Sequence, residues 1–325
     1  MLQNYTSWII PYRNLYKFAD KLLTEKNDFS CLLVSGRPFQ LFRFGWLLHK
    51  KFGLKWIADY RDEWSTCQWR GDYNLLNKFI CKLEATSERK WIKNASAIIS
   101  CSDYLVNSVR KFVEKDGYNI LNGFEPIDYI TESISLNAKS FIIVYNGTLY
   151  PTQEIEVFIE AIKLIIEKHN KKIDLKIKFP GLLMDTLQVS RVQKLIIGYE
   201  KYFEISPRVT KREVIILQQN SDLLLMIGHK NVLGNFSSKI FEYLGCKRPI
   251  LLCPTDNDVI ANLVLTTQTG FVCANAAEAF DILDNLIFEK LSFGKLNFNP
   301  DKTKIENYTR EVQTKKLASV LDKIC

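Results

Sequence analysis

The chain has 325 residues, of which 47% are apolar and 25% charged, a length that exceeds one ordinary core and a composition typical of folded domains in water. No apolar run reaches membrane-spanning length and no secretory signal opens the chain, so a cytoplasmic protein is expected. Eight cysteines are scattered at 31, 67, 81, 101, 246, 253, 273 and 325 without paired spacing, which argues against a disulfide framework. With three histidines apart from any Cys or carboxylate cluster, a protein-built zinc site is not expected either.

The net charge of +8 is uneven, because residues 1–58 hold nine Lys/Arg against three acids. Within that stretch, 38–55 mixes Phe39, Phe42, Phe44 and Trp46 with Arg43, Lys50 and Lys51. Such a segment suits either a helix lying on an anionic membrane surface or one packed on a sheet with its bases solvated, and the second reading is favoured. The bases form no dense patch, and no nucleic-acid partner is expected.

In chain order, short apolar runs read as strands at 30–35, 54–60, 96–101 and 118–122, with helical segments near 38–52, 73–94 and 103–114 between them. A second series of strands begins at 141–146 and continues near 173–179, 201–205, 222–227, 249–253 and 270–273. Its clearest helix is 152–168, where Ile155, Phe158, Ile159, Ile162, Ile165 and Ile166 keep a helical period after Pro151. The stretch 123–139 lacks periodic apolar content and reads as the linker, and a long basic helix closes the chain near 307–324. Strands alternating with amphipathic helices predict an α/β protein with two Rossmann-like, doubly wound domains facing a cleft. The expected division is 1–136, then 137–306, with 307–325 packing back on the first domain.

Ligands of doubly wound sheets sit at the carboxyl ends of the strands, and polar residues gather there. The run GlyAsnPheSerSerLysIlePheGluTyrLeu (234–244) places Ser237, Ser238 and Lys239 at a helix N-terminus, where unpaired amides and the helix dipole favour a phosphate. Either serine can cap that helix, and Glu242 lies on the face of Ser238, about 6 Å further along. That offset suits a diphosphate at one end and a ribose diol at the other; the bland alternative is a capped helix with a solvated Lys239–Glu242 pair. Gly147 and Thr148 follow the first strand of the second domain and allow close backbone approach to a diphosphate. His229 ends a later strand and either points into the cleft or is a solvated loop residue. Arg208, after another strand, can read a base edge. In the first domain Asp59, Arg61, Asp62 and Glu63 crowd one strand end with Trp64 as a lid-like aromatic. They form either a structural ion network or a group that orients an acceptor hydroxyl.

Five segments occur in order: TrpIleAlaAspTyrArgAspGluTrp (56–64), IleSerCysSerAspTyrLeu (99–105), LeuAsnGlyPheGlu (121–125), TyrAsnGlyThrLeuTyr (145–150) and SerLysIlePheGluTyrLeuGlyCysLysArgProIleLeu (238–251). Together they resemble bacterial family-4-type glycosyltransferases of surface-polysaccharide synthesis, which have the GT-B fold, from about residue 30 to the C-terminal helix. The resemblance implies transfer of a sugar from a nucleotide-sugar donor to a glycan or polyprenyl-linked acceptor, with no cofactor or bound metal. It implies that Glu242 grips the ribose, that Ser237, Ser238, Lys239, Gly147 and Thr148 hold the diphosphate, and that Asp59, Arg61 and Asp62 serve the acceptor or the transferred sugar. It also implies contact with the inner membrane face, for which 38–55 is the expected segment.

Two departures qualify these expectations. A second glutamate, separated from Glu242 by seven residues on its N-terminal side, is common in that family, and Gly234 stands at that position instead. The family opens with a strand and a Gly-rich acceptor loop ahead of the part matching residues 1–30, so an incomplete first domain with compromised activity is expected. A nucleotide-binding partner subunit and a sugar-nucleotide epimerase are the alternatives.

Overall fold

The structure is a computed structural model and describes residues 12–26, 28–67, 75–129, 137–169 and 172–325. It divides into two compact units: Met1–Leu121 with Gln313–Cys325, and Asn122–Val312.

In the first unit, strands β1 (Cys31–Gly36), β2 (Lys55–Tyr60), β3 (Ala97–Ser100) and β4 (Gly117–Asn119) form one parallel sheet in that order. Helices α1 (Arg13–Glu25), α2 (Gln40–Phe52), α3 (Leu75–Ile92) and α4 (Asp103–Val113) accompany them. The core holds Phe42, Trp56, Tyr60, Trp64, Ile98 and Val109. Helix α2 buries Phe42, Phe44 and Leu48 and ends at Gly53 in the left-handed region, with Lys50 and Lys51 in the last turn. The apolar side of the 38–55 segment is thus spent on the core, which is the packed reading and leaves that side unavailable to a membrane. Trp64 is equally committed: it is buried and stacks on Phe39 at 5.0 Å between ring centroids, so it is a core residue and not a lid.

The second unit holds β5 (Ser140–Val144), β6 (Asp174–Pro180), β7 (Phe203–Ser206), β8 (Leu223–Met226), β9 (Ile250–Leu252) and β10 (Gly270–Val272). All are parallel, in the order β10-β9-β8-β5-β6-β7. The chain winds outward from β5 in one direction, then returns to place β8 on its other side. The gap between the ends of β5 and β8 is therefore the topological switch point, where such sheets bind ligands. The helices are α5 (Ile155–His169), α6 (Thr186–Leu195), α7 (Lys211–Gln219), α8 (Ser238–Cys246), α9 (Val259–Thr266), α10 (Ala276–Phe293) and α11 (Lys302–Glu306). Continuous Val/Ile/Leu runs such as Leu223–Met226 are buried throughout, as strands covered on both faces require.

Helix α12 (Arg310–Ile324) closes the chain. Its Leu317, Val320, Leu321 and Ile324 pack with Ile57, Ile99 and Ile120. The division at 121 and 312, instead of 136 and 306, has a local cause. Phe124 bridges Thr309 in parallel, and the amides of Phe124 and Arg310 bond the carbonyls of Tyr308 and Phe124. These pairings join 122–129 to 307–312, and the Tyr308 ring, 6.1 Å from that of Phe241, and Tyr129 against Gly245 hold both segments in the second unit. Residues 130–136 of the expected linker lie outside the described residues.

Candidate functional site

At the switch point the β5 end carries Tyr145, Asn146, Gly147 and Thr148, and the β8 end carries Ile227, Gly228 and His229. The two ends are laced together by Gln153, which is buried. Its Nε2 donates to the Ile227 carbonyl at 2.8 Å, and its Oε1 accepts from the Tyr150 amide at 3.0 Å and the Tyr145 hydroxyl at 3.2 Å. The Gly147 amide donates to the Pro180 carbonyl at 2.8 Å. Gly147 and Gly181 both have φ of +90°, and a Cβ on Gly181 would lie 3.2 Å from the Gly147 Cα. Two bare backbones therefore meet at the ends of β5 and β6 in a conformation that side chains resist.

Helix α8 starts beside them. Ser237 occupies its N-cap with extended backbone, but its side chain makes no capping bond, so neither that hydroxyl nor a first-turn acid neutralises the helix terminus. Lys239 crosses the β5 end instead. Its Nζ donates to the Tyr145 hydroxyl at 2.8 Å and the Thr148 carbonyl at 3.1 Å, and lies 4.2 Å from the Tyr145 ring centroid. Burial pulls its pKa down to about 7, against the opposing pull of Glu242.

His229 is buried, with Nδ1 2.8 Å from the Thr152 hydroxyl and its ring tilted against Tyr150. Burial and then the nearby Lys239 charge lower its pKa to about 4, while Asp256 opposes. The imidazole is therefore neutral near pH 7, and the solvated-loop alternative does not hold.

Glu242 is half-buried one turn beyond Ser238, and no protein hydrogen bond to its carboxylate is found among the described residues. Burial raises its pKa, opposed in order by the charges of Lys211, Lys239 and Arg310. Its surroundings are fixed by close packing. A Cβ on Gly245 would fall 2.3 Å from the Tyr129 ring, Lys211 pairs with Asp128, and the Arg310 Nε donates to the Gly123 carbonyl at 3.1 Å. Gly234 has φ of +67° and its amide donates to Asp258 Oδ2.

The structure thus brings Gly147, Thr148, Ser237, Ser238, Lys239 and Glu242 around one strand-end and helix-start region. Arg208 stands apart, exposed beyond the end of β7 on the edge of the sheet. Tyr145 and Gly181 escaped the sequence reading. A tyrosine closing an apolar strand reads as core, although the ProGly pair at 180–181 is a visible strand-end signal.

In the first unit, Asp59 is buried and sits opposite Ser35 in the β1–β2 register. The Ser35 hydroxyl donates to Asp59 Oδ2 at 2.7 Å, and the Arg61 guanidinium is 3.6 Å from Oδ1. Asp62 is exposed and pairs at 3.8 Å with Arg37. The cluster splits into two ion pairs at the ends of β1 and β2, one between the buried Asp59 and the exposed Arg61 and one between the exposed Asp62 and Arg37.

No family model and no curated protein matches this sequence. Among solved structures, sucrose-phosphate synthase from Thermosynechococcus elongatus matches with a TM-score of 0.66 at 13% identity, over 97% of this chain and 80% of that one. HepE from Anabaena, in complex with UDP and glucose, gives 0.66 at 14% identity over 97% and 83% of the two chains. An E. coli trehalose-6-phosphate protein bound with UDP-2-fluoro glucose gives 0.63 at 12% identity over 94% and 76%. At such identities the likeness shows the fold: this chain has the two-unit parallel α/β architecture of GT-B glycosyltransferases.

Proposed function

We propose that the protein is a glycosyltransferase that takes a sugar from a nucleotide-sugar donor held by its second unit. The observation that carries this reading is the placement of Lys239 and Glu242 in successive turns at the start of α8. A half-desolvated ammonium faces bare backbone at Gly147, while an acid three residues on keeps its oxygens out of every protein hydrogen bond among the described residues. A cation and unneutralised amides suit a diphosphate, and a carboxylate that accepts two hydrogen bonds suits the vicinal hydroxyls of a ribose. HepE and the E. coli protein, solved with UDP or UDP-sugar, lend this reading the support of a shared fold.

In this scheme the Gly147–Thr148 turn, the hydroxyls of Ser237 and Ser238, and Lys239 hold the diphosphate. Charge that develops on the leaving phosphate as the glycosidic bond breaks is met by Lys239 and the α8 N-terminus. Arg208 is left as a base-side contact reached only by the nucleoside end. Asp59, Arg61 and Asp62 serve the acceptor hydroxyl or the transferred sugar. The buried Asp59, held by Ser35 and Arg61, positions groups, and the solvated Asp62 is free to meet them. The nucleotide-sugar is a substrate, and no cofactor enters. A glycan or polyprenyl-linked acceptor in polysaccharide synthesis, at the inner membrane face, completes the proposal.

Incubation with UDP-, GDP- and dTDP-sugars, followed by NMR of the products, tests it. Release of the nucleoside diphosphate with transfer to an added glycan or to water is expected. A C2-epimerised nucleotide-sugar would instead assign an epimerase, and unchanged donors with folded protein would refute sugar transfer.

A further inference from the structure

Helix α12 ends against the start of β1. Cys31, the first residue of β1, is paired in register with Lys55, the first residue of β2. The Lys55 Nζ donates to the Ile324 carbonyl at 2.7 Å, and the next residue is Cys325. Cys31 also packs with Val320, Leu321 and Ile324 of α12 in one apolar cluster. The Cys325 amide donates to the Leu321 carbonyl at 2.7 Å and so continues the helical bonding by one residue. These contacts, all within the first unit, bring the two thiols together, each within hydrogen-bonding reach of the other.

The pair is asymmetric. Cys325 is exposed, whereas Cys31 is half-buried. Burial first, and then the neighbouring Cys325, push the Cys31 thiol well up from its ordinary value, with the Lys55 charge among the opposing influences. Cys31 therefore stays protonated near neutrality, and the thiolate that meets an oxidant is that of Cys325. A second pair supplies the contrast. Cys253 and Cys273 also interact through their side chains, at the ends of β9 and β10, but both are buried. A water-borne oxidant does not reach sulfur enclosed in this way.

We propose that Cys31 and Cys325 form a reversible oxidation site, at which hydrogen peroxide links α12 to β1 through a disulfide. The Cys325 thiolate attacks the peroxide. An S–O bond forms as the O–O bond breaks, and the departing hydroxide takes up a proton to leave as water. Cys325 is then a sulfenic acid. The Cys31 sulfur attacks it, the S–S bond forms as the S–O bond breaks, and the released hydroxide takes the Cys31 proton. Two thiols and one peroxide thus give one disulfide and two waters. A dithiol reverses the link by exchange and becomes a disulfide itself. The bond anchors the last turn of α12, which the Lys55 contact and apolar packing hold in the reduced protein.

Treatment of the reduced full chain with a slight excess of hydrogen peroxide, alkylation of the remaining thiols and mass mapping of unreduced peptides read the proposal directly. A peptide pair joining Cys31 to Cys325 within one chain is expected, two of the eight thiols being lost and Cys253 and Cys273 staying reduced. Dithiothreitol should restore both thiols. Cys31→Ser and Cys325→Ser should each prevent the link, and Cys31→Ser should leave Cys325 as a sulfenic acid that dimedone labels. Circular dichroism of the reduced variants should match wild type. In the linked protein, amide exchange over 321–325 should slow by about tenfold or more. Thiols that all stay reduced, oxidation confined to other cysteines, or a disulfide between two chains through Cys325 would overturn the proposal. So would a Cys31–Cys325 yield as high in urea as in the folded protein, or unchanged amide exchange once the link has formed. None of these readouts involves the donor site, so failure here and failure of sugar transfer are told apart.

Discussion

The α-carbon of Gly147 lies beneath the end of the Lys239 side chain, so that a methyl group added there would sit 3.3 Å from Cε and 4.0 Å from Nζ. Gly147 also holds φ at +90°. Gly147→Ala should therefore cost about 1–3 kcal/mol of stability through backbone strain. It should also weaken UDP binding by about tenfold or more, ~1.4 kcal/mol, by filling the floor where phosphate would rest. Thermal unfolding and calorimetry on the same preparation separate the two effects. Unchanged UDP affinity in a folded variant would remove Gly147 from the site.

Lys239 is placed at a cost to the fold. Burial pulls its pKa down to about 7, which means the surroundings disfavour its charge. Lys239→Met keeps the stem, removes the charge and should raise stability by about 1 kcal/mol while abolishing diphosphate binding. Chemical denaturation measures the first and calorimetry the second. A less stable methionine variant would make the lysine a structural strut for Tyr145 and Thr148.

The same shift sets a pH dependence. Lys239 titrates near 7 in the free protein and at 10.5 ordinarily, so the unfolded chain binds the extra proton between those limits. This group therefore makes stability rise with pH across that window. Ligand binding runs the other way, because a diphosphate favours the ammonium. UDP, whose terminal phosphate ionises near pH ~6, should bind tightest close to neutrality and lose affinity as pH rises further. His229, held at about 4, stays neutral throughout. Calorimetry at alkaline pH in two buffers of different ionisation enthalpy should show proton uptake on binding, and zero uptake would contradict this coupling.

The ten strands were legible because they are short and bounded by turns, and the central ones, such as Leu223–Met226 and Ile250–Leu252, are Leu/Ile-rich runs covered on both faces. The helix start at Ser237 and Ser238 was legible, with Lys239 and Glu242 in its first two turns, because these residues are local in sequence. What pattern reading missed depends on residues distant in the chain. The Arg13–Glu25 helix lies outside the predicted elements, although its apolar stripe is amphipathic. Trp64 beside charged neighbours looked like a lid, yet it stacks on Phe39, 25 residues earlier in sequence. Ser237 had the chemistry of a cap but not the bond. Helix α3 turns Glu84 and Glu88 inward and Leu76 and Phe79 outward, which periodicity does not reveal because it assumes that leucines face inward. The bonds of Glu88 to Tyr60 and Ser65 join residues far apart in the chain and hold that orientation.

One such long-range pair supports the second unit. Lys290 of α10 and Asp222, just before β8, form a buried ion pair 68 residues apart in sequence, and Asp222 Oδ2 also accepts the Ile142 amide at 2.9 Å. Lys290→Ala leaves a buried carboxylate uncompensated and should cost about 3–5 kcal/mol. The double change Asp222→Asn/Lys290→Met should recover most of that loss in urea unfolding. A cost of Lys290→Ala within experimental error would show the pair to be dispensable.

Glu242 bears most directly on the proposed donor site, since no protein donor among the described residues occupies its carboxylate. Titration calorimetry of wild type and Glu242→Ala with UDP, GDP and dTDP is the decisive measurement. Wild type should bind at least one of these nucleotides, and the alanine variant, equally folded, should bind it about tenfold or more weakly. Identical affinities, or a folded wild type that binds none of the three, would contradict a donor site at Lys239 and Glu242.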